Sequence, residues 1–170
     1  MVEIFNAFIS IGTIILALAT VVGIVLLVSK KNPISRWISS NAMMIGFVVA
    51  LGAVVGSLIY SNIIGYPPCI LCWYQRIAIF PLPILFLIGH IKKDRNLALA
   101  ALILSGYGLV VNIYHNFIDW GGSEFISCGA GPSCLQRFVA EFGFVTIPLM
   151  SGVILFSALV VSIFALQKKN

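Results

Sequence analysis

The sequence predicts an all-α membrane protein with five spans, and three observations carry that prediction. Of 170 residues, 61% are hydrophobic and only 9% charged, with a mean hydropathy of +1.11; a water-soluble domain carries about a quarter charged residues. The apolar residues gather into five runs, each long enough to cross a hydrocarbon layer of about 30 Å. The basic residues fall in short clusters between those runs, the pattern of orientation signals rather than of a nucleic-acid surface, so the formal net charge of +5 is no argument for nucleic acid.

Residues 4–28 form the first span. Met1-Val2-Glu3 places no cation ahead of it, so the run reads as a retained helix rather than a signal peptide. Residues 29–41, with Lys30, Lys31, Pro33 and Arg36, read as a polar loop with Trp37 at the membrane interface. Residues 42–64 are the second span, in which Gly52 and Gly56 are expected to admit a close helix neighbour. The third, 69–91, contains Pro81-Leu82-Pro83 and should kink there. After the charged turn Lys92-Lys93-Asp94-Arg95 comes the fourth span, 97–118, whose last two turns carry Asn112, Tyr114, His115 and Asn116. Residues 119–143 form the longest polar stretch, with Gly121, Gly122, Gly129 and Gly131 around Cys128 and Cys134. Within it Leu135, Phe138, Val139 and Phe142 recur opposite Gln136, Arg137 and Glu141, which predicts a short amphipathic helix on the membrane surface. The fifth span is 144–166, and the whole of 1–170 reads as one integral membrane domain.

Alternating five spans puts Lys30, Lys31, Arg36, Lys92, Lys93, Arg95, Lys168 and Lys169 on one side and leaves only Arg76 and Arg137 elsewhere. Cationic loops stay inside, so the N-terminus is expected outside and the C-terminus inside. All four cysteines then face the oxidising, extracytoplasmic side.

The stretch from Tyr66 to Arg76, YPPCILCWYQR, places two thiols and a cation at the mouth of an apolar helix. Pro67 and Pro68 suit a helix start. The N-terminal partial positive charge favours thiolate at Cys69 and Cys72, and Arg76 lies one turn beyond Cys72 on roughly the same face. An arginine at that depth in lipid is a functional candidate by default; the bland alternative is two buried thiols and a snorkelling side chain.

A second pair, Cys128 and Cys134, sits in a glycine-rich outer loop. An exposed pair and an embedded pair together suggest a relay of thiol–disulfide exchange ending on a lipid-soluble acceptor, a quinone, whose developing negative charge Arg76 stabilises. Two static disulfides and a Cys₄ metal site are the rival accounts. Haem attachment is excluded, because Trp73 rather than His follows Cys72. His115 is either a proton or hydrogen-bond partner of the quinone or a packing residue. Trp73 and Tyr74 either stack by the quinone ring or belong to the interfacial aromatic belt. A conduit carrying electrons outward needs cysteines on the inner side, and none is expected there. The non-enzymatic rival is a helical adaptor or transporter subunit with structural disulfides.

The chain resembles the DsbB/BdbC thiol oxidoreductases from about Gly46 onward. The resemblance is carried by Pro68-Cys69-Ile70-Leu71-Cys72-Trp73-Tyr74-Gln75-Arg76, by His115 after Tyr114, by Cys128 and Cys134, and by Phe142-Gly143-Phe144 leading to Pro148. In the related vitamin K epoxide reductase-like proteins the C-x-x-C follows the loop cysteines, whereas here it precedes them. The resemblance implies a four-helix bundle core in the plasma (inner) membrane, to which the helix 4–28 is an addition. It implies that Cys128 forms the mixed disulfide with a DsbA-like thioredoxin-fold oxidase, that Cys134 resolves it, and that Cys69 exchanges with the loop pair. Cys72 would then attack, or form a charge-transfer complex with, a quinone (ubiquinone or menaquinone), with Arg76 polarising it and His115 assisting. The short gap between Cys128 and Cys134 is of the compact BdbC type.

Overall fold

A computed structural model describes residues 2–28, 32–125, 128 and 132–167. Five helical segments are long and apolar enough to cross a membrane: Val2–Val28, Pro33–Ile63, Ile70–Lys92, Arg95–Asp119 and Ile147–Gln167. Lys30, Lys31, Lys168 and Lys169, four of the cations on which the orientation argument rests, lie outside the described residues, as do Gly129 and Gly131.

Helix α1 (Val2–Val28) buries Asn6, Ser10, Thr13, Thr20 and Gly23. This narrow seam of small side chains meets α6 (Ile147–Gln167), and Thr20 Oγ1 lies 2.6 Å from Ser157 Oγ. Small residues let two membrane helices approach closely, and a shared hydroxyl pair adds a bond that lipid cannot replace. The opposite face of α1, including Ile4, Phe8, Ile15 and Leu18, is exposed, as a lipid-facing surface is.

The second span begins earlier than its composition suggests. Pro33 opens α2 (Pro33–Leu58), and Asn32 caps it by accepting the Ile34 N–H at 3.0 Å. Proline suits the first helical position, whose N–H has no partner anyway, so the expected polar loop is helical from there on. A π-helical turn, Ile59–Ile63, ends the span. The third span breaks where the prolines predict, into α3 (Ile70–Ile79) and α4 (Leu82–Lys92). Lys93 in a left-handed conformation ends α4, and Asp94 caps α5 (Arg95–Asp119) through the Asn96 N–H.

Leu82, Phe86, Ala98, Ala101, Ala158 and Phe164 form the main core. Two glycines are required by close approach, one in this core and one in the neighbouring cluster of Ala78 and Leu155. A Cβ on Gly46 would stand 2.8 Å from the Phe86 ring, and one on Gly108 would stand 2.7 Å from Ala78 Cβ. Gly52 and Gly56 behave otherwise. A Cβ on either meets nothing within 4 Å, so the expected packing motif is not one, and both residues instead line a cavity.

The expected amphipathic helix over 135–142 is also absent. Ser133 to Val139 form turns, followed by the hairpin β1 (Ala140–Glu141) and β2 (Val145–Thr146). Phe142 and Gly143 take φ of +55° and +78°, which reverses the chain where a helix would continue. The four apolar residues do not share a face: Phe138 stacks on Tyr66 at 4.7 Å and Val139 is buried, whereas Leu135 and Phe142 are exposed.

Candidate active site at the cysteine end of the bundle

Gly65, at φ +88°, turns the chain into the extended Tyr66-Pro67-Pro68, which the Tyr66 N–H ties back to the Tyr60 carbonyl at 2.9 Å. Cys69 then caps α3: its backbone is extended and its Sγ accepts the Cys72 N–H at 3.3 Å. The two sulfurs are 2.8 Å apart and both are free thiols, Cys69 buried and Cys72 half-buried. Cys69 stands just before the third span. The Cys72 sulfur and the His115 ring both lie within hydrogen-bond reach of the Cys69 sulfur.

Behind this pair lies a buried polar network. His115, on α5, places Nε2 3.9 Å from Cys69 Sγ and 3.4 Å from the Cys134 carbonyl, while its Nδ1 is 2.9 Å from Gln75 Nε2. Gln75 Oε1 accepts the Ser151 hydroxyl and, at 3.4 Å, Asn112 Nδ2. Asn112 Nδ2 also donates to the Pro148 carbonyl at 2.8 Å, which Asn116 Nδ2 reaches at 3.2 Å. Three spans are thus joined through side chains in a region where an unmet polar group is costly.

Arg76 is held differently. Its Nε donates to Ser57 Oγ at 3.1 Å and its Nη2 to the Ser57 carbonyl at 3.2 Å, and the guanidinium lies over Trp73 and Phe80 at 5.3 and 5.7 Å. Among the described residues no carboxylate pairs with it; the ion pair they contain is Arg137 with Asp119. Arg76 and Cys72 line one end of a cavity of about 360 Å³, whose walls are predominantly apolar and include Gly52 and Gly56 of α2 and Phe8, Gly12 and Leu16 of α1. Trp73 is half-exposed and is not among the lining residues.

The loop pair meets the membrane pair directly. Cys128 and Cys134 form a disulfide. Cys134 is buried in one cluster with Cys69, Leu71 and Ile118, against which Cys128 also packs. The segment after Cys134 is fastened at Asp119, one turn beyond His115. Arg137 Nε reaches Asp119 Oδ1 at 2.8 Å and Arg137 Nη2 bonds the Asp119 carbonyl. Thr146 Oγ1 donates to Asp119 Oδ2 at 3.1 Å, and Arg137 lies over Trp120 at 5.6 Å.

A family model for the disulfide bond formation protein DsbB matches residues 39–165. The chain belongs to the DsbB family. It is 41% identical over 120 residues to the SPbeta prophage-derived disulfide bond formation protein B of Bacillus subtilis, covering 70% of this chain and 80% of that one. It is 36% identical over 139 residues to a probable disulfide formation protein of Oceanobacillus iheyensis, covering 78% and 93%. To the probable disulfide formation protein C of Halalkalibacterium halodurans it is 40% identical over 114 residues, covering 65% and 82%. No solved structure matches the chain. The role of the DsbB family is disulfide bond formation by a multi-pass membrane protein, and α1 lies outside the residues that the family model matches.

In this DsbB-family chain, Cys69, Cys72, Arg76, His115 and Cys134 all line one cavity, with Cys128 bonded to Cys134 at its edge. Sequence reasoning did not assign roles to Gln75, Asn112, Ser151 or Asp119. A signal existed for some of them: Asn112, His115 and Asn116 fall at helical spacing on one face of an apolar span, and Gln75 follows Cys72 by three residues. Nothing local marks Ser151 or Asp119, whose partners lie far away in sequence.

Proposed function

We propose that this protein reoxidises a DsbA-like, thioredoxin-fold thiol oxidase and passes the two electrons to a membrane quinone. The observation that carries the proposal is the meeting of a closed loop disulfide with two free thiols in one buried cluster, beside a cavity lined by Arg76, which has no carboxylate partner among the described residues. A thiolate of the partner attacks Cys128, Cys134 leaves, and the partner's second thiol displaces Cys128, so that the partner is oxidised and the loop pair reduced. Cys134 then attacks Cys69 of the oxidised membrane pair and Cys72 leaves as thiolate. Cys128 attacks Cys134, restoring the loop disulfide and releasing Cys69. The membrane pair now holds the two electrons.

The cavity fits a quinone. Its walls are predominantly apolar, they include residues of α1 and α2 as well as both membrane cysteines, and Arg76 presents a cation that would stabilise a carbonyl oxygen gaining negative charge. A bound quinone supplies the two-electron, two-proton acceptor that exchange alone lacks. Cys72 lines that cavity, Arg76 would hold a carbonyl oxygen of the quinone there, and Cys69 would close the disulfide with Cys72. The spans are oriented with the N-terminus outside and the C-terminus inside, so that both pairs open to the extracytoplasmic face of the plasma membrane.

The test is anaerobic mixing of purified, detergent-solubilised protein with a reduced thioredoxin-fold oxidase and a soluble quinone, with quinone absorbance and free thiols followed together. Stoichiometric quinone loss that disappears in Cys72→Ser and in Cys128→Ser is expected. Thiol oxidation without quinone loss overturns the acceptor, and the absence of any exchange overturns the relay.

A further inference from the structure

We propose that Gln75 is a positioning residue that fixes the ring proton of His115 on Nε2, so that the ring donates to the Cys69 sulfur. The inference rests on the relay above and assigns it a residue outside the reacting set. It follows from a chain of assignments that begins at a backbone atom. The Pro148 carbonyl can only accept, so the Asn112 atom 2.8 Å from it is the amide nitrogen. Asn116 Nδ2 donates to Asn112 Oδ1 at 2.9 Å, which agrees with that orientation. The second proton of that nitrogen goes to Ser151 Oγ at 2.9 Å, the Ser151 hydroxyl donates in turn to Gln75, and the Asn112 nitrogen itself stands 3.4 Å from the same Gln75 atom, which is therefore Oε1. Gln75 Nε2 therefore faces His115 Nδ1 at 2.9 Å. An amide nitrogen has no lone pair to offer, so Nδ1 accepts and the neutral ring carries its proton on Nε2. That atom lies between two acceptors, Cys69 Sγ and the Cys134 carbonyl.

The consequence falls on one step. When Cys128 attacks Cys134 in the Cys69–Cys134 mixed disulfide, the Cys128–Cys134 bond forms, the Cys134–Cys69 bond breaks, and the electron pair leaves on Cys69. A leaving thiolate departs faster when it is stabilised. The Nε2–H supplies that stabilisation and the proton stays on the ring, whereas the other tautomer would turn a lone pair toward the same sulfur. Among the described residues the charged and titratable groups around Cys69 are Cys72 and Arg76 from its own helix, Tyr60 and Tyr66 ahead of it, His115, Tyr114 and Asp119 from α5, and Arg137 from the loop, the last bonded to Asp119.

Two measurements on the full-length protein test this, and neither involves a quinone. In wild type at pH 8, ¹⁵N NMR of the His115 ring should show protonation on Nε2 alone; protonation on Nδ1, alone or with Nε2, overturns the proposal, whatever any variant does. Site-resolved alkylation of Cys69 against pH should then compare wild type with Gln75→Met, which keeps length and removes the donor. The midpoint of the profile should rise about one pH unit in the variant, so that the rate at pH values below both midpoints falls about tenfold. An unchanged profile overturns the proposal. A protein that shows both signatures yet reduces no quinone sinks the acceptor assignment and leaves Gln75 in place.

Discussion

The two cysteine pairs are held in opposite ways. Cys69 and Cys72 belong to a helix start whose backbone, capping bond and neighbours are fixed by a three-span network through His115, Gln75 and Asn112. Cys128 and Cys134 belong to the loop after α5, whose described residues after Cys134 are fastened through Arg137 and Asp119. The contrast separates two requirements. The embedded pair must keep its geometry toward a cation and a cavity, and a helix N-terminus in a packed bundle does that. In the proposed relay the loop pair meets both a soluble protein and Cys69. Both pairs are nonetheless at one end of the bundle, with the Lys92–Arg95 turn at the other, where Arg95 bonds the Leu166 carbonyl.

The sharpest way to separate the pairs is to remove the sulfur that only the embedded pair supplies. Cys72→Ser should drop quinone reduction to background in stopped-flow absorbance, while the loop disulfide still oxidises one equivalent of partner dithiol. Retained quinone reduction would mean that the loop pair reaches the acceptor by itself. Next in size is Arg76→Met, which keeps much of the apolar stem and removes the charge. Quinone reduction should fall about hundredfold, the scale of one lost oxyanion donor, with the partner exchange rate unchanged. Equal losses in both steps would show that Arg76 supports the fold rather than the acceptor.

Asp119→Asn addresses the loop side. It removes the charge that Arg137 meets, and because Arg137 is partly exposed the stability loss should be about 2 kcal/mol or less. Exchange between the pairs should slow about tenfold in a quench-and-alkylate time course, while quinone reduction driven by a small dithiol that reaches Cys69 and Cys72 directly should not change. A loss in both assays would mean that Asp119 shapes the membrane pair through His115, one turn away.

These residues also divide by how visible they are in the sequence. Cys69, Cys72 and Arg76 are legible because their relations are local: a C-x-x-C and an i+4 neighbour at a helix start keep their meaning in any helical bundle. The break at Pro81 is legible for the same reason, since proline removes a donor wherever it stands. Gln75 and Asp119 are not, because each acts through a partner on another element: Gln75 through His115, 40 positions on, and Asp119 through Arg137, 18 positions on. The turns after Cys134 were hidden by a periodicity that happened to be helical. Phe138 and Val139 bury in sequence-adjacent positions because Tyr66 and the hairpin core receive them, a tertiary demand that no local pattern carries.

The smallest effect concerns the cavity and the helix that the family model leaves out. Gly52 and Gly56 face open space, so a Cβ there meets no atom within 4 Å, and replacing a glycine in a helix interior favours folding. Gly52→Leu should therefore keep the thermal midpoint while filling part of the cavity. If the groove between α1 and α2 takes the apolar tail of the quinone, losing about 40 Å² of contact costs about 1 kcal/mol, roughly a fivefold rise in KM. The rise should appear with a long-tailed quinone and not with a head group alone. Gly12 lines the same groove from α1 and also faces open space, so Gly12→Leu should reproduce the tail-dependent rise. If only Gly52→Leu does so, the tail runs along α2, and α1 serves the bundle through packing rather than through the quinone.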